Sequence, residues 1–409
     1  MKSFRERIPE FLAPVIAGER LAAFGGASAQ WMTGIKSDLL YNDVDTNIEI
    51  SLLTAEYFGS PGGGAAWDLY NFEVRALGQS IKTSEYGMPD VDYTDPLCKT
   101  EADLDKIKWP TENPLDAGRF PLVLRSYELM EKYLGSKPGM FNTCVSSFTM
   151  AVELFSFSGF MKIIKKQPEL AHEIMRKIVF DIQVPLVRAV AAKYPGILFK
   201  QSDAWEMLPN ISPKIEREFV WPYYDMLREA VADEDVKVMW WATYGEAAVA
   251  DPATYLKEKI KYSGVVSYTG MEKGLPRELY IRVSEECDVP LMVIAGPPMG
   301  ASPQEIIEFQ RGIVRDFRIP AKKYTGGGGG GGGAFGASWE TILASRAAAI
   351  AFSVLPCPTL EELEKIEVEI VDDFTQSFGD FVREKARENP DGYTFKWLDQ
   401  AEFFGERDW

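Results

Sequence analysis

One histidine, His172, and four cysteines, Cys98, Cys144, Cys287 and Cys357, are all that this 409-residue chain offers of soft metal-binding chemistry. The cysteines lie far apart with no paired spacing, which excludes a disulfide framework and a zinc knuckle. His172 falls on the polar side of a helical pattern and reads as a solvated residue. Positive charge is also short: 44 Lys and Arg stand against 61 Asp and Glu, a formal net charge of −17. Such a surface repels phosphate backbones and anionic lipid, so nucleic acid and membrane are poor partners. No apolar run approaches the ~18 residues of a membrane-spanning helix. The opening stretch, MKSFRERIPEFLAPVIAGER, is charged and helical rather than signal-like, and the expected location is the cytoplasm.

What is present is a globular composition, 46% hydrophobic and 26% charged, enough for one large domain or two. Phe4, Ile8, Phe11, Leu12 and Val15 form an apolar stripe at helical spacing that Gly18 ends. Loops and short helices are expected up to residue 113, with Thr100 and Asp103 as a helix-start pair. From Pro114 the pattern becomes regular. Helical segments near 115–134, 157–193, 212–232, 252–262, 275–287, 303–317 and 337–352 alternate with short apolar runs: Met140 to Val145, Ile197 to Phe199, Val236 to Trp241, Val265 to Tyr268 and Leu291 to Ala295.

This alternation argues for α/β architecture with a parallel sheet, and enough units are visible for a (β/α)8 TIM-type barrel. The barrel body is placed at 114–357 and its first strands in the N-terminal extension, 1–113. An open doubly wound sheet is the alternative, weakened because no G-x-G-x-x-G follows the first visible strand. Past Pro358, Leu363, Ile366, Ile370, Phe374, Phe378 and Phe381 predict one long C-terminal helix, and 358–409 ends in an aromatic tail that packs on the barrel.

The stretch from Leu198 to Tyr224, LFKQSDAWEMLPNISPKIEREFVWPYY, reads as strand, loop and capped helix. Ser212 is a good N-cap and Pro213 suits the first helical position. Asp203, Trp205 and Glu206 therefore fall at the carboxyl end of a strand, where ligands gather in such folds. Tyr244 and Glu246 follow the next strand, Tyr268 and Glu272 the third, and Asn142 and Cys144 lie on the first. Asp203, Glu206 and Glu246 are the catalytic candidates. Asn142, Trp205, Trp241, Tyr244, Tyr268 and Glu272 are the substrate-binding ones. A carboxylic acid kept partly neutral by apolar neighbours such as Trp205, Trp240 and Trp241 can protonate or polarise a leaving oxygen or nitrogen.

The order DPLCKTEADLDKI, KQPELAHEIMRKI, KQSDAWEMLPNISPKIEREFVWPYY and IAGPPMGASPQEIIEF resembles the uroporphyrinogen decarboxylase-like superfamily. The resemblance spans roughly 95–355 and implies a (β/α)8 barrel with its site at the carboxyl ends of the strands. It implies either the decarboxylase of haem biosynthesis or a cobalamin-dependent methyltransferase. The decarboxylase carries an arginine-rich segment that grips its substrate's carboxylates, whereas LAAFGGASAQWMTG, between Arg20 and Lys36, has no arginine.

The thiol-activating methyltransferases bind zinc through His-x-Cys-Gly. In VMWWATYGEA the matching positions are Ala242 and Tyr244, so zinc is not expected. A third ligand would fall near Gly326 to Gly333. Eight successive glycines, each about 0.5–1 kcal/mol worse than alanine, are out of keeping with a barrel strand, and no site residue is assigned to them. The expected activity is transfer of a methyl group between a small methylated compound and the corrinoid of a separate carrier protein, with a possible homo-oligomer. The alternatives are a decarboxylase of a small carboxylate and an inactive barrel with a binding role.

Overall fold

The computed structural model describes residues 2–7, 9, 30, 32–58, 65, 67, 68, 70–135, 137–203, 205–241, 245–270, 274–298, 300–325, 338–352 and 357–403. Most of the expected first helix, including Ile8 and 10–18, lies outside them, as do Ala242, Tyr244, Glu272 and the glycine run.

The N-terminal third is helical: α1 (Ser37–Asn42), α2 (Val44–Tyr57) and α3 (Phe72–Leu77). Asp43 starts α2 by accepting from the Thr46 amide at 2.9 Å. The barrel strands expected here are not found among the described residues. The extended segment forms only a two-residue antiparallel pair, β1 (Ile81–Lys82) with β2 (Asp90–Val91). Between them SEYGMPD is polar and broken by Gly87 and Pro89, which leaves no apolar run for a core strand. Thr100 and Asp103 do form a reciprocal capping box, on a 3-10 turn at Glu101–Lys106.

Strands and helices then alternate. Helix α4 (Phe120–Leu134) leads to β3 (Met140–Val145), followed by α5 (Ser147–Phe155), α6 (Phe157–Lys166), α7 (Pro168–Lys177), a π-helical stretch at Ile178–Gln183 and α8 (Val184–Lys193). Next come β4 (Ile197–Ser202), α9 (Pro213–Phe219), α10 (Trp221–Ala230), β5 (Val236–Trp241) and α11 (Pro252–Ser263). The last units are β6 (Val266–Tyr268), α12 (Arg277–Glu286), β7 (Leu291–Val293), α13 (Pro303–Ile313), β8 (Tyr324–Thr325) and α14 (Trp339–Phe352). Helix α5 is invisible to the periodicity reading, because SFTMAVELF is mostly apolar, with six apolar residues of nine, and merges with the strand before it.

The strands form two parallel sheets, β3-β4-β5 and β6-β7-β8. Among the described residues no strand ladder joins them. In the first sheet Phe141 pairs with Phe199 and Phe199 with Val238. The Phe141 and Phe199 rings stack at 5.8 Å, and Phe120 of α4 covers Phe141 at 6.1 Å. That face meets the helices, and by alternation Lys200 and Met239 point to the other. A bulge between Phe141 and Cys144 shifts the register before the strand ends.

The main core surrounds β3–β5 and also takes in Phe4, Ile48 and Leu53 from the N-terminal third and Phe378, Val382 and Trp397 from the tail. A second cluster, with Tyr268, Tyr280, Val293 and Phe317, surrounds β6–β8.

The expected single C-terminal helix is two: α15 (Leu360–Lys365) and α16 (Phe378–Glu388). Thr359 and Ser377 each cap a separate start. The Arg311 guanidinium takes the Leu363 and Ile366 carbonyls at 2.6 and 2.9 Å, occupying the acceptors that would continue α15. The intervening EVEIVDD mixes β-branched residues with crowded carboxylates, both unfavourable to a helix. Among the described residues no single helix is long and apolar enough to cross a membrane.

Candidate functional site

The carboxyl ends of β3 and β4 meet in a buried polar cluster. Ser146 directly follows β3 and caps α5, its hydroxyl oxygen accepting from the Thr149 amide at 3.2 Å. Asp203 directly follows β4, and the loop behind it is anchored where the Trp205 amide donates to the Thr149 hydroxyl at 3.3 Å. Ser212 caps α9 as the sequence predicts, and the chain continues into α10, which carries Tyr224 over the strand ends.

Three hydroxyls and two carboxyls close on one another there. Thr149 donates to Asp203 Oδ1 at 3.2 Å and Ser146 to Glu206 Oε2 at 2.6 Å. The Tyr224 hydroxyl lies 2.9 Å from Asp203 Oδ2 and also contacts Glu206 Oε1. One phenolic proton cannot serve two carboxylates, so one carboxyl keeps its own. Burial makes this favourable: Asp203 is 4% and Glu206 1% exposed, and among the described residues neither forms an ion pair. Desolvation raises Asp203 to about 6, and desolvation together with the Asp203 charge holds Glu206 well above the usual carboxylate range. Near neutral pH the pair thus carries one charge and one proton.

A half-buried aromatic wall stands beside it. Trp205 stacks on Phe157 at 5.3 Å, meets Tyr93 edge-on at 5.4 Å and donates through Nε1 to the Tyr93 hydroxyl at 3.1 Å. Trp240, another expected apolar neighbour, packs on the Tyr224 ring at 4.6 Å.

Glu246 lies in an adjoining cluster. Gly245 precedes it at φ 130°, and a Cβ there would meet Leu208 Cβ at 2.8 Å, so glycine alone lets this turn pass against the Asp203 loop. Glu246 pairs with Lys259 at 2.6 Å in a site where both side chains are buried. Beside them Tyr255 donates to Glu216 at 2.6 Å, and burial raises Glu216 to about 7.

The remaining candidates are dispersed. Tyr268 is buried in the second core, edge-on to Tyr280 at 5.2 Å and 4.4 Å from Phe317. Asn142 is half-buried on β3, and the backbone of Trp241 pairs with Ser202 at the strand ends. Tyr244 and Glu272 lie outside the described residues. His172 is a correction: it is half-buried, stacked on Phe219 at 4.4 Å with Nδ1 2.7 Å from the Tyr223 hydroxyl, because α7 packs onto the helix pair that follows β4.

Sequence reasoning missed Ser146, Thr149, Tyr224, Lys259 and Tyr93. The first two had a visible signal, a Ser-x-x-Thr helix start immediately after a strand. The others reach the site through tertiary packing alone. Among the described residues no three His, Cys, Asp or Glu side chains stand together as metal ligands, and Ala242 has no donor atom to offer. Ala242, Tyr244 and the glycine run, where the zinc segment of the thiol-activating branch would fall, lie outside the described residues.

Residues 25–265 match the family model for uroporphyrinogen decarboxylase (URO-D). Among solved structures, a methyltransferase from Methanosarcina mazei is similar with a TM-score of 0.57 and 16% identity, over 86% of this chain and 98% of that one. At that identity the likeness concerns the fold. No curated protein matches the chain.

Proposed function

The chain belongs to the uroporphyrinogen decarboxylase family, and from that premise we propose that it is a methyltransferase moving a methyl group between a small methylated compound and the corrinoid of a separate carrier protein. The two parallel sheets are, in this reading, arcs of one (β/α)8 barrel, which the extent of the match to the archaeal methyltransferase supports.

The observation that carries the activity is the buried Asp203–Glu206 pair, which shares the Tyr224 hydroxyl and retains a proton near neutral pH. When the carrier docks, its reduced corrinoid supplies the cobalt that accepts the methyl group. The chain's own part is to hold the donor and to place a proton at the leaving oxygen or nitrogen as its bond to the methyl carbon breaks. Ser146, Thr149 and Tyr224 fix both carboxyls, so little reorganisation accompanies the transfer. Trp205 and the half-buried rings beside it exclude water from that proton. The absence of arginine between Arg20 and Lys36 separates this site from one built for a polycarboxylate.

The test is incubation with a reduced corrinoid carrier protein and a panel of methylated ethers, amines and thioethers, followed by the corrinoid absorption spectrum. Asp203→Asn retains the shape but removes one of the two carboxyls that together hold the transferable proton. It is expected to slow transfer by a factor on the order of 10²–10⁴, the weight of general-acid help. Unchanged rates in a variant with native circular dichroism would remove Asp203 from the chemistry. No transfer from any donor by the unaltered protein would leave a binding role.

A further inference from the structure

Four buried carboxyls gather behind the ends of β3 and β4: Glu73, Glu153, Asp203 and Glu206. Among the described residues none of them pairs with a lysine, arginine or histidine. Three are served by donors of the chain. Asp203 and Glu206 have Thr149, Ser146 and Tyr224, and Glu73 accepts from the Val145 amide at 3.0 Å.

Glu153 is the exception. It is 1% exposed, and among the described residues neither carboxyl oxygen has a hydrogen-bond partner. A buried carboxyl without a donor is costly whether ionised or neutral, and a native chain rarely retains one without use.

Its position shows what it faces. Ser146 caps α5, and Thr149 and Glu153 follow on the same stripe, one turn apart. Thr149 holds the Asp203 carboxylate and the Trp205 amide, so Glu153 is the next polar group along the surface that meets the Trp205 loop. It lies close enough to Tyr93 for its charge to bear on that hydroxyl, which itself accepts from Trp205 Nε1. The polar stripe therefore runs from the acid pair to the foot of the wall made by Trp205, Phe157 and Tyr93. Burial holds the Glu153 carboxyl well above the usual carboxylate range, so it keeps its proton while alone; an organic cation seated against the electron-rich rings is the partner beside which it ionises.

We propose that Glu153, with the Trp205, Phe157 and Tyr93 rings, is the receiving site for a small organic cation of the ammonium class. The cationic group is the handle by which the methyl donor is held, which rests on the methyltransferase reading. Binding itself does not. Asp203 and Glu206 stay free to act on the leaving atom at the other end of the compound. Overall charge agrees: a chain at −17 attracts cations and turns away anionic competitors.

The experiment measures binding by the whole chain without any carrier, using calorimetry and tryptophan fluorescence. Choline is the probe, its neutral carbon isostere 3,3-dimethylbutan-1-ol the control, and potassium and ammonium chlorides the competitors. Choline is expected to bind roughly tenfold or more tightly than the isostere, and Glu153→Gln to remove that preference. Trp205→Leu is expected to weaken choline while quenching the fluorescence response.

Glu153→Gln should be at least as stable as the unaltered chain, since it removes an unpaired buried acid. Marked destabilisation would mean a structural partner and overturn the proposal. Equal affinity for choline and the isostere, or binding of potassium alone, would overturn it as well. If methyl transfer from neutral ethers proceeds while no organic cation binds, the cation site fails and the methyltransferase reading stands.

Discussion

Replacing Tyr224 with phenylalanine removes one oxygen from the centre of the buried cluster and little else. The hydroxyl contacts both Asp203 and Glu206, and its hydrogen bond pulls the Asp203 carboxyl down against the burial that raises it to about 6. A carboxyl raised from 3.8 to about 6 on folding holds its proton more tightly in the native chain. Its stabilising contribution is complete below the unfolded value and is lost as pH rises through the folded one.

Without the hydroxyl the folded value climbs further, so the loss extends to higher pH. At about pH 5 both carboxyls are neutral, and the variant forfeits one neutral hydrogen bond, about 1 kcal/mol. Where Asp203 is ionised the lost bond is one to a charged group, about 1.5–3 kcal/mol, so the loss near pH 8 exceeds that near pH 5. Urea denaturation followed by circular dichroism at the two pH values measures both. Equal losses at the two values would show that the hydroxyl does not set the proton affinity of Asp203.

Lys259→Met leaves Glu246 buried without its partner and should cost about 3–5 kcal/mol, most of which the double variant with Glu246→Gln restores. Urea midpoints of the single and double variants decide it, and a single variant as stable as the parent would show the pair to be dispensable. The four cysteines should divide by burial. Cys357 is exposed and Cys287 half-buried, whereas burial pushes the Cys98 thiol to about 12 and raises the Cys144 thiol well above the usual thiol range. An aromatic disulfide reagent should therefore label Cys287 and Cys357 in the folded protein and the other two only in denaturant; rapid native labelling of Cys144 would contradict the packing around β3.

How much of this was legible in the sequence depended on the range of the interaction. Strands at Ile197–Ser202, Val236–Trp241, Val266–Tyr268 and Leu291–Val293 fall where the apolar runs place them, and the Ser212–Pro213 helix start does too. These features are set by neighbours in the chain. The C-terminal break at Ile366 was illegible because Arg311, which takes its carbonyl, lies 55 residues away. Asp203 and Glu206 could be named from their place after a strand. That they share one hydroxyl could not, since Tyr224 is on α10 and looks like a core aromatic. Glu153 did leave a trace, a lone acid in the apolar run SFTMAVELF, but only the folded chain shows it without a donor.

Glu49, buried in the middle of α2, carries a consequence for the order of synthesis. Its carboxylate accepts from the Thr394 and Phe395 amides and from Trp397 Nε1, the last two at 3.1 Å, and these partners lie some 345 residues further along the chain. At ~5–20 residues per second a ribosome needs roughly 17–70 s to supply them. Over that interval the α2 surface is in its final shape only if an acid is left buried with nothing to accept from. The N-terminal third therefore completes its packing last rather than first. A nascent chain of this protein spends most of its synthesis with α2 open, in need of shelter from premature association.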